Sequence, residues 1–165
     1  LNAELREFEP MLGLLAEGAT LSLELEPSPM VVAMPSAELH QVLSNLVANA
    51  RDAMAGSPGL IRVRTSSSQV DAPDARGDHP SRWHYLEVID NGSGMPDDVV
   101  RQVFDQYFTT KGEAGTGLGL PSVHRIVSRH GGTIRIDSRV GVGSTFSIGF
   151  PALQPDTVPT EVSTT

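Results

Sequence analysis

Apolar residues spaced three and four positions apart predict helices over four segments, which are residues 5–18, 36–54, 96–104 and 121–131. Pro10 lies inside the first pattern and disfavours one continuous helix there. Ser36 is the predicted N-cap of the second helix, and Pro121 the first residue of the last.

Alternating apolar and polar residues predict five strands, at residues 20–26, 60–67, 83–90, 133–140 and 144–151. The stretch from Ser66 to Ser81 is rich in Ser, Asp, Pro and Gly without periodicity, which predicts a surface loop. Residues 105–120 are rich in Gly and Thr and predict a mobile loop, and the tail from Ala152 has the composition of a linker. This order of elements indicates an α+β fold with a layer of helices on a mixed sheet.

The composition restricts the chemistry. With 12 basic and 20 acidic residues the formal net charge is −8, so the chain is a poor general binder of nucleic acid or anionic membranes. An anionic ligand must be held locally, by backbone amides, a metal or a well-placed cation, and the single lysine is Lys111. The absence of Cys excludes disulfides and cysteine-ligated metals.

No apolar run approaches the roughly 20 residues that span a bilayer. The chain begins at Leu1 without a signal peptide. We therefore expect a soluble piece of a longer protein that makes no direct membrane contact. The expected location of this piece is the cytoplasm, and whether the parent protein is anchored in a membrane stays open.

Two amides, Asn45 and Asn49, project one turn apart from one flank of the second predicted helix. Amide oxygens are hard neutral ligands, suited to a Mg²⁺ ion that also holds substrate phosphates. A pair of solvent-facing polar residues is the alternative.

A second motif, Asp-Asn-Gly-Ser-Gly-Met-Pro, begins at Asp90 where a predicted strand ends. A carboxylate there can accept a hydrogen bond from an exocyclic amine such as that of adenine, while Gly92 and Gly94 allow the backbone to approach a flat ring. An ordinary turn is the alternative, although this segment leads into a helix.

A third motif, Gly-Thr-Gly-Leu-Gly-Leu at residues 115–120, precedes the last predicted helix. Small residues before a helix N-terminus let successive N–H groups bind phosphate. The motif is neither a dinucleotide fingerprint nor a Walker A loop. A glycine-rich hinge is the alternative.

In their order along the chain, these motifs, with Phe-Asp-Gln-Tyr-Phe-Thr-Thr-Lys at 104–111 and the last strand, resemble the ATP-binding catalytic domain of histidine kinases. That domain belongs to the superfamily of DNA gyrase, Hsp90 and the mismatch-repair ATPases. The resemblance covers residues 1–151, leaves 152–165 as a linker-like tail, and is greatest to nitrogen-regulator-like and hybrid sensor kinases. It implies the Bergerat fold, an α+β two-layer sandwich whose mixed, roughly five-stranded sheet is covered on one face by about three helices.

The resemblance also implies site residues. Asn49 matches the amide that coordinates Mg²⁺, Asn45 the supporting amide, and Asp90 the carboxylate that recognises adenine. Phe104 and Phe108 match the aromatic residues that anchor the lid. Asn45, Asn49 and Lys111 are the expected catalytic residues. The other residues expected to bind ATP are Asp52, Gly92, Gly94, Met95, Phe108, Thr110, Lys111, Gly115, Thr116, Gly117, Leu118, Gly119, Leu120 and Thr145, the last with Ser144 as a close alternative.

Asn45 stands where gyrase-like relatives have the glutamate that activates water, so the resemblance implies weak hydrolysis. The γ-phosphoryl group would go to a histidine on a dimerisation and phosphotransfer domain absent from this chain, because none of the five histidines lies in a His-Glu-x-x-x-Pro acceptor context. A response-regulator receiver domain, in cis or in trans, is the other implied partner. The chain alone is expected to be monomeric.

Two positions depart from the family pattern: Met34 replaces a common Asp, and Asp52 a common Lys, with Arg51 as a possible substitute for the basic contact. The expected function is thus the Mg·ATP-binding catalytic domain of a bacterial two-component sensor histidine kinase. The alternatives are a protein-serine kinase of the anti-sigma-factor type, a non-catalytic module that docks a partner when nucleotide binds, and a gyrase-like hydrolase.

Overall fold

The computed structural model describes residues 1–54, 58–73, 80–109 and 117–153. In these ranges the helices are α1 (Asn2–Leu15), α2 (Ser36–Ala53), α3 (Asp97–Val100) and α4 (Gly119–Arg129). The strands are β1 (Ala19–Glu24), β2 (Gly59–Pro73), β3 (Pro80–Asp90), β4 (Thr133–Arg139) and β5 (Gly143–Pro151).

The strands form one mixed sheet in the order β1-β2-β3-β5-β4, in which β1 runs parallel to β2 and the other neighbours are antiparallel. Because side chains alternate along a strand, Val63, Leu86 and Ile148 lie on one face of the sheet and are fully buried with α1, α2 and α4. The opposite face carries polar groups, among them the ion pair of Arg64 with Glu87. The predicted α+β fold with a five-stranded mixed sheet is confirmed.

The loop predicted from Ser66 to Ser81 is wrong in most of its length. β2 continues to Pro73 and β3 begins at Pro80, with Ser66 paired to Tyr85 and Gln69 to Arg82. This hairpin extends beyond the end of β1, where Ser68, Gln69 and Arg82 are exposed, and the apolar alternation that marks a strand is absent there. Residues 74–79 lie outside the described residues.

Helix α1 is continuous through Pro10, contrary to the prediction. Pro10 points to solvent, whereas Leu5 and Leu12 on the opposite side are fully buried. Tertiary packing of these leucines therefore outweighs the local cost of the proline.

The predicted N-cap at Ser36 is also wrong, because Pro35 occupies the N-cap position and Ser36 makes no capping hydrogen bond. The carbonyl of Pro35 accepts the N–H groups of Glu38 and Leu39, at 3.0 and 3.1 Å. Helix α4 begins at Gly119, two residues before the predicted start, and α3 ends at Val100, four residues before the predicted end.

β5 ends at Pro151, and the division into a domain of residues 1–151 and a tail of residues 152–165 stays a prediction. Residues 154–165 lie outside the described residues, so the linker-like tail stays a prediction. None of the helices in the described ranges combines the length and hydrophobicity needed to cross a lipid bilayer.

Candidate functional site

One cavity of about 510 Å³ brings together residues from the separate sequence motifs. Its walls come from α2, the loop after β3, the segment before α4 and the start of β5. Of the predicted nucleotide-binding residues, those that line it are Asn45, Asn49, Asp52, Asp90, Gly94, Met95, Phe108, Gly117, Gly119 and Leu120. Four others, Thr110, Lys111, Gly115 and Thr116, lie outside the described residues.

Asp90 is the last residue of β3 and is only 6% exposed. Its Oδ1 accepts the backbone N–H groups of Gly92, at 2.9 Å, and of Ser144, at 3.3 Å. Burial raises the pKa of this carboxyl, and the two backbone hydrogen bonds oppose that rise. Because both bonds fall on Oδ1, the other oxygen retains acceptor capacity for a group in the cavity.

The glycines after Asp90 are required by the protein's own backbone. A Cβ atom at Gly92 would lie 2.8 Å from the carbonyl carbon of Ala53, at the end of α2. A Cβ at Gly94, where φ is +64°, would lie 2.0 Å from the carbonyl oxygen of Arg139. Both glycines let the loop pack against α2 and the β4–β5 turn. Gly94 lines the cavity and Gly92 does not, and their predicted role in making room for a ligand ring stays a prediction.

The two asparagines occupy the same flank of α2, as their spacing predicts, and both line the cavity. Nδ2 of Asn45 donates to the carbonyl oxygen of Gln41 over 3.0 Å, which fixes the orientation of the amide. A Cβ at Gly119 would lie 3.1 Å from Asn45 Oδ1, so the first residue of α4 packs directly against this oxygen.

This donor set fits a Mg²⁺ ion that is held mainly by substrate phosphates and water. The described residues contain no group of three or more His, Cys, Asp or Glu side chains placed to hold a metal. A cation here would rely on amide oxygens, and such sparse protein ligation is typical of magnesium bound with a nucleotide.

The opposite wall is fixed by a backbone contact between Tyr107 and Gly117. The N–H of Tyr107 donates to the carbonyl oxygen of Gly117 over 3.0 Å. A Cβ at Gly117 would lie 2.5 Å from the carbonyl carbon of Tyr107, and both residues have positive φ, at 62° and 67°. Leu118 is 47% exposed and lines a neighbouring cavity instead of this one.

Thr145 does not reach the cavity, which corrects its predicted role. Thr145 is paired with Ile89 and Asp137 on the polar face of the sheet. Ser144 lies on the buried face, is 4% exposed, and lines the cavity beside Asp90. The alternation of β5, in which Phe146 and Ile148 point inward, is the sequence signal that identifies Ser144.

The guanidinium group of Arg51 makes hydrogen bonds within the protein itself. Its Nε and Nη2 donate to Asp52 Oδ1, at 3.0 and 2.7 Å, and its Nη1 donates to the carbonyl oxygen of Leu15 over 3.3 Å. Arg51 therefore links α2 to the end of α1, so the structure does not support it as a substitute for the missing basic phosphate contact.

A second cavity of about 610 Å³ adjoins the first and shares Asn45, Gly119 and Pro121 with it. Phe104 and His124 line this second cavity, with ring centroids 5.2 Å apart, and Arg125 lies on its rim. Asn45 thus stands between the two cavities. Other lining residues of the first cavity that sequence analysis missed are Ala48, Ala53, Ser93, Val99, Val103, Thr109, Pro121 and Phe146.

Comparison with known proteins identifies the family to which the chain belongs. The family described as histidine kinase-, DNA gyrase B- and HSP90-like ATPases matches residues 35–154. The chain is 40% identical over 154 residues to the two-component sensor PprA of Pseudomonas aeruginosa. This match covers 90% of this chain and 16% of that protein. It is 42% identical over 123 residues to the sensor histidine kinase ZraS of Escherichia coli K12, covering 74% of this chain and 23% of that protein.

Among solved structures, the nucleotide-free catalytic domain of histidine kinase ThkA matches with a TM-score of 0.69 and 26% identity, covering 92% of this chain and 91% of that one. The chain spans less than a quarter of the length of the two sensor proteins above. The chain belongs to the histidine kinase-, DNA gyrase B- and HSP90-like ATPase family, as a catalytic domain of the histidine-kinase type.

Proposed function

We propose that this chain binds Mg·ATP and, within its parent sensor kinase, transfers the γ-phosphoryl group to a histidine on a separate dimerisation domain. The observation that carries the proposal is one cavity whose lining includes a buried carboxylate, Asp90, and the paired amides of Asn45 and Asn49. A receiver domain of a response regulator is the proposed recipient of the phosphoryl group after the histidine.

The part of the cavity at Asp90 suits adenine. The unused carboxylate oxygen accepts the 6-amino group, while guanine would present a carbonyl oxygen to the carboxylate and be repelled. Met95 and Phe146 give this part of the cavity apolar walls for a flat ring.

The part at Asn45 and Asn49 suits the phosphates. Asn49 is the proposed Mg²⁺ ligand, supported by Asn45, and the ion would neutralise phosphate charge when bound. The backbone N–H groups of Gly119 and Leu120, at the start of α4, supply further phosphate contacts. The proposed contacts from Thr110, Lys111, Gly115 and Thr116 complete the set.

Among the residues that the structure describes around the cavity, none is assigned as a general base for attack by water. The cavity's described lining residues include two carboxylates, Asp52 and Asp90. Asp52 accepts hydrogen bonds from Arg51, and Asp90 is assigned to the recognition of adenine. Asn45 cannot accept a proton at neutral pH. ATP turnover by the chain alone should therefore be slow, and the phosphoryl group is transferred when a partner supplies the nucleophile.

The partner's acceptor histidine is proposed to approach through the second cavity. That cavity opens beside Asn45, at the proposed phosphate site of the nucleotide cavity, and has Arg125 on its rim. A histidine acceptor gives an acid-labile phosphoryl label, so an acid-stable label would indicate a serine acceptor instead.

The Asp90→Asn variant tests nucleotide binding. The substitution keeps the shape and an acceptor for the N–H groups of Gly92 and Ser144, but it places an amide N–H₂ against the amino group of adenine. We expect calorimetry to show ATP affinity about 100-fold weaker, because a charge-assisted hydrogen bond is lost and a donor faces a donor. Unchanged affinity would contradict the proposal.

The matched control is Glu87→Gln, which neutralises a carboxylate on the polar face of the same strand and should leave ATP affinity unchanged.

A pH series adds a second measurement. Because burial raises the pKa of Asp90, wild-type affinity should fall as pH drops through that raised value and the acceptor is protonated. The raised pKa also means that the native state binds this proton more tightly than the unfolded state does. The free energy of unfolding should therefore fall as pH rises from the ordinary pKa of the unfolded state to the raised pKa of the native state. Asp90→Asn should remove that pH dependence.

A further inference from the structure

Ser138, on β4, contacts three groups behind the wall of the nucleotide cavity. Its Oγ accepts the backbone N–H of Met95 at 2.8 Å, and it lies 2.9 Å from Ser144 Oγ and 3.3 Å from the carbonyl oxygen of Gly143. Neither the family motifs nor the cavity lining includes Ser138.

The proton of the Ser138 hydroxyl has two possible acceptors. If Ser138 donates to Gly143, the bond spans 3.3 Å, which is long for an O–H···O bond, and Ser144 then donates to Ser138. If Ser138 donates to Ser144 over 2.9 Å, the proton of Ser144 can be donated into the cavity. Because the bond given up is the long one, the second arrangement costs little once the cavity holds an acceptor.

Adenine supplies such an acceptor next to its amino group. Asp90 and Ser144 are paired in register across β3 and β5, so a carboxylate acceptor and a hydroxyl donor stand side by side on one face. The amino group and ring nitrogen N1 of adenine present a donor beside an acceptor, which is the complement. Guanine presents the opposite order at the same edge.

We propose that Ser138 is a positioning residue for base recognition: it donates to Ser144, so that Ser144 donates to N1 of adenine directly or through one water. This inference rests on the proposed function, because it requires adenine at Asp90. It makes the preference for adenine depend on a residue outside the cavity.

The test compares ATP with 1-deaza-ATP, which lacks the N1 acceptor, by calorimetry on the 165-residue chain. We expect wild type to bind ATP about fivefold more tightly than the analogue, the effect of one net hydrogen bond. Ser138→Ala should lower that ratio by weakening ATP alone, because the Ser144 oxygen loses the donor that holds it and directs its proton into the cavity. Ser138→Thr, which keeps a hydroxyl, should restore the ratio. The control Ser147→Ala removes a hydroxyl that faces Glu87 on the other side of β5 and should leave the ratio unchanged.

Each other outcome counts against the proposal. If Ser138→Ala keeps the ratio, or weakens both nucleotides equally, Ser138 acts only through the structure of the loop. If Ser138→Ala fails to fold, Ser144→Ala, which leaves the Met95 contact in place, must lower the ratio, and an unchanged ratio overturns the inference. A wild-type ratio near one overturns it while leaving the proposed function standing, because that function is tested by Asp90→Asn.

Discussion

Lys111 is the single lysine of an acidic chain, and it lies in the Thr-Thr-Lys sequence before the glycine motif. If it contacts the transferring phosphoryl group, its charge acts mainly on the transition state. We therefore expect Lys111→Ala to lower phosphotransfer to the acceptor domain about tenfold or more, with a smaller change in ATP affinity and no change in melting temperature.

Transfer is measured as acid-labile label on the acceptor, and affinity by calorimetry. Arg139→Ala, which removes a cation from the edge strand β4, is the matched control. Equal transfer by the Lys111 variant and wild type would mean that Lys111 is only a solvated loop residue.

At the scale of single residues, the sequence predicts chemistry better than geometry. The end of β3 identifies Asp90, and the spacing of Asn45 and Asn49 places both on one flank, because each inference uses only local periodicity. The glycines are different. Their neighbours, Ala53 and Arg139, are distant in sequence, so the reason for Gly92 and Gly94 appears only once α2 and β4 are in place.

At the scale of elements, α1 contains a proline that its packing tolerates. Pro10 has no N–H to donate to the carbonyl of Arg6, and its ring is exposed. We expect Pro10→Ala to raise the free energy of unfolding by about 1–2 kcal/mol, the helix gain less the added entropy of the unfolded chain. Urea unfolding measures the change, with Glu9→Ala as the exposed neighbouring control. A loss of stability would show that the proline is needed for the path of α1.

Element boundaries are less well predicted than element types. The β2–β3 hairpin is missed because Ser66, Ser67 and Ser68 pair with Tyr85, His84 and Trp83, outside the part of the sheet that β1 covers. Strand pairing there depends on a partner strand and not on an apolar face, so period-two alternation is lost.

At the scale of the whole molecule, the proposed phosphotransfer requires a second domain to reach the proposed phosphate site of the cavity. The family acceptor context places a glutamate next to the histidine, and Arg125 lies on the rim of the second cavity. We expect Arg125→Glu to raise the KM for a separately supplied acceptor domain about tenfold, through repulsion at the docking face, while ATP affinity stays unchanged.

Arg135→Glu makes the same charge change at an exposed residue of β4 and serves as the control. If both variants raise KM equally, net charge and not the second cavity determines docking. If neither does, the acceptor approaches by another face.

The net charge of −8 also restricts how the whole molecule can bind a triphosphate. An acidic chain binds a triphosphate only where charge is compensated locally, and the proposed site does so with amides, a divalent cation and one lysine. The fold class follows from the order of elements, whereas the cavity also needs the close approach of Gly119 to Asn45, two lining residues more than seventy positions apart on α4 and α2.

The backbone contacts of Gly94 and Gly143 have an evolutionary consequence. A Cβ at either would lie 2.0 Å from a carbonyl oxygen of the protein itself, Arg139 or Asp90, so folding alone selects for glycine there. Asp90 is different, because its two backbone hydrogen bonds engage only Oδ1 and an asparagine could accept both, so folding alone does not select for a carboxylate there. A descendant that abandoned nucleotide binding should therefore keep its glycines and lose its aspartate, and in surveys of related genomes the aspartate, not the glycine pattern, should mark the active domains.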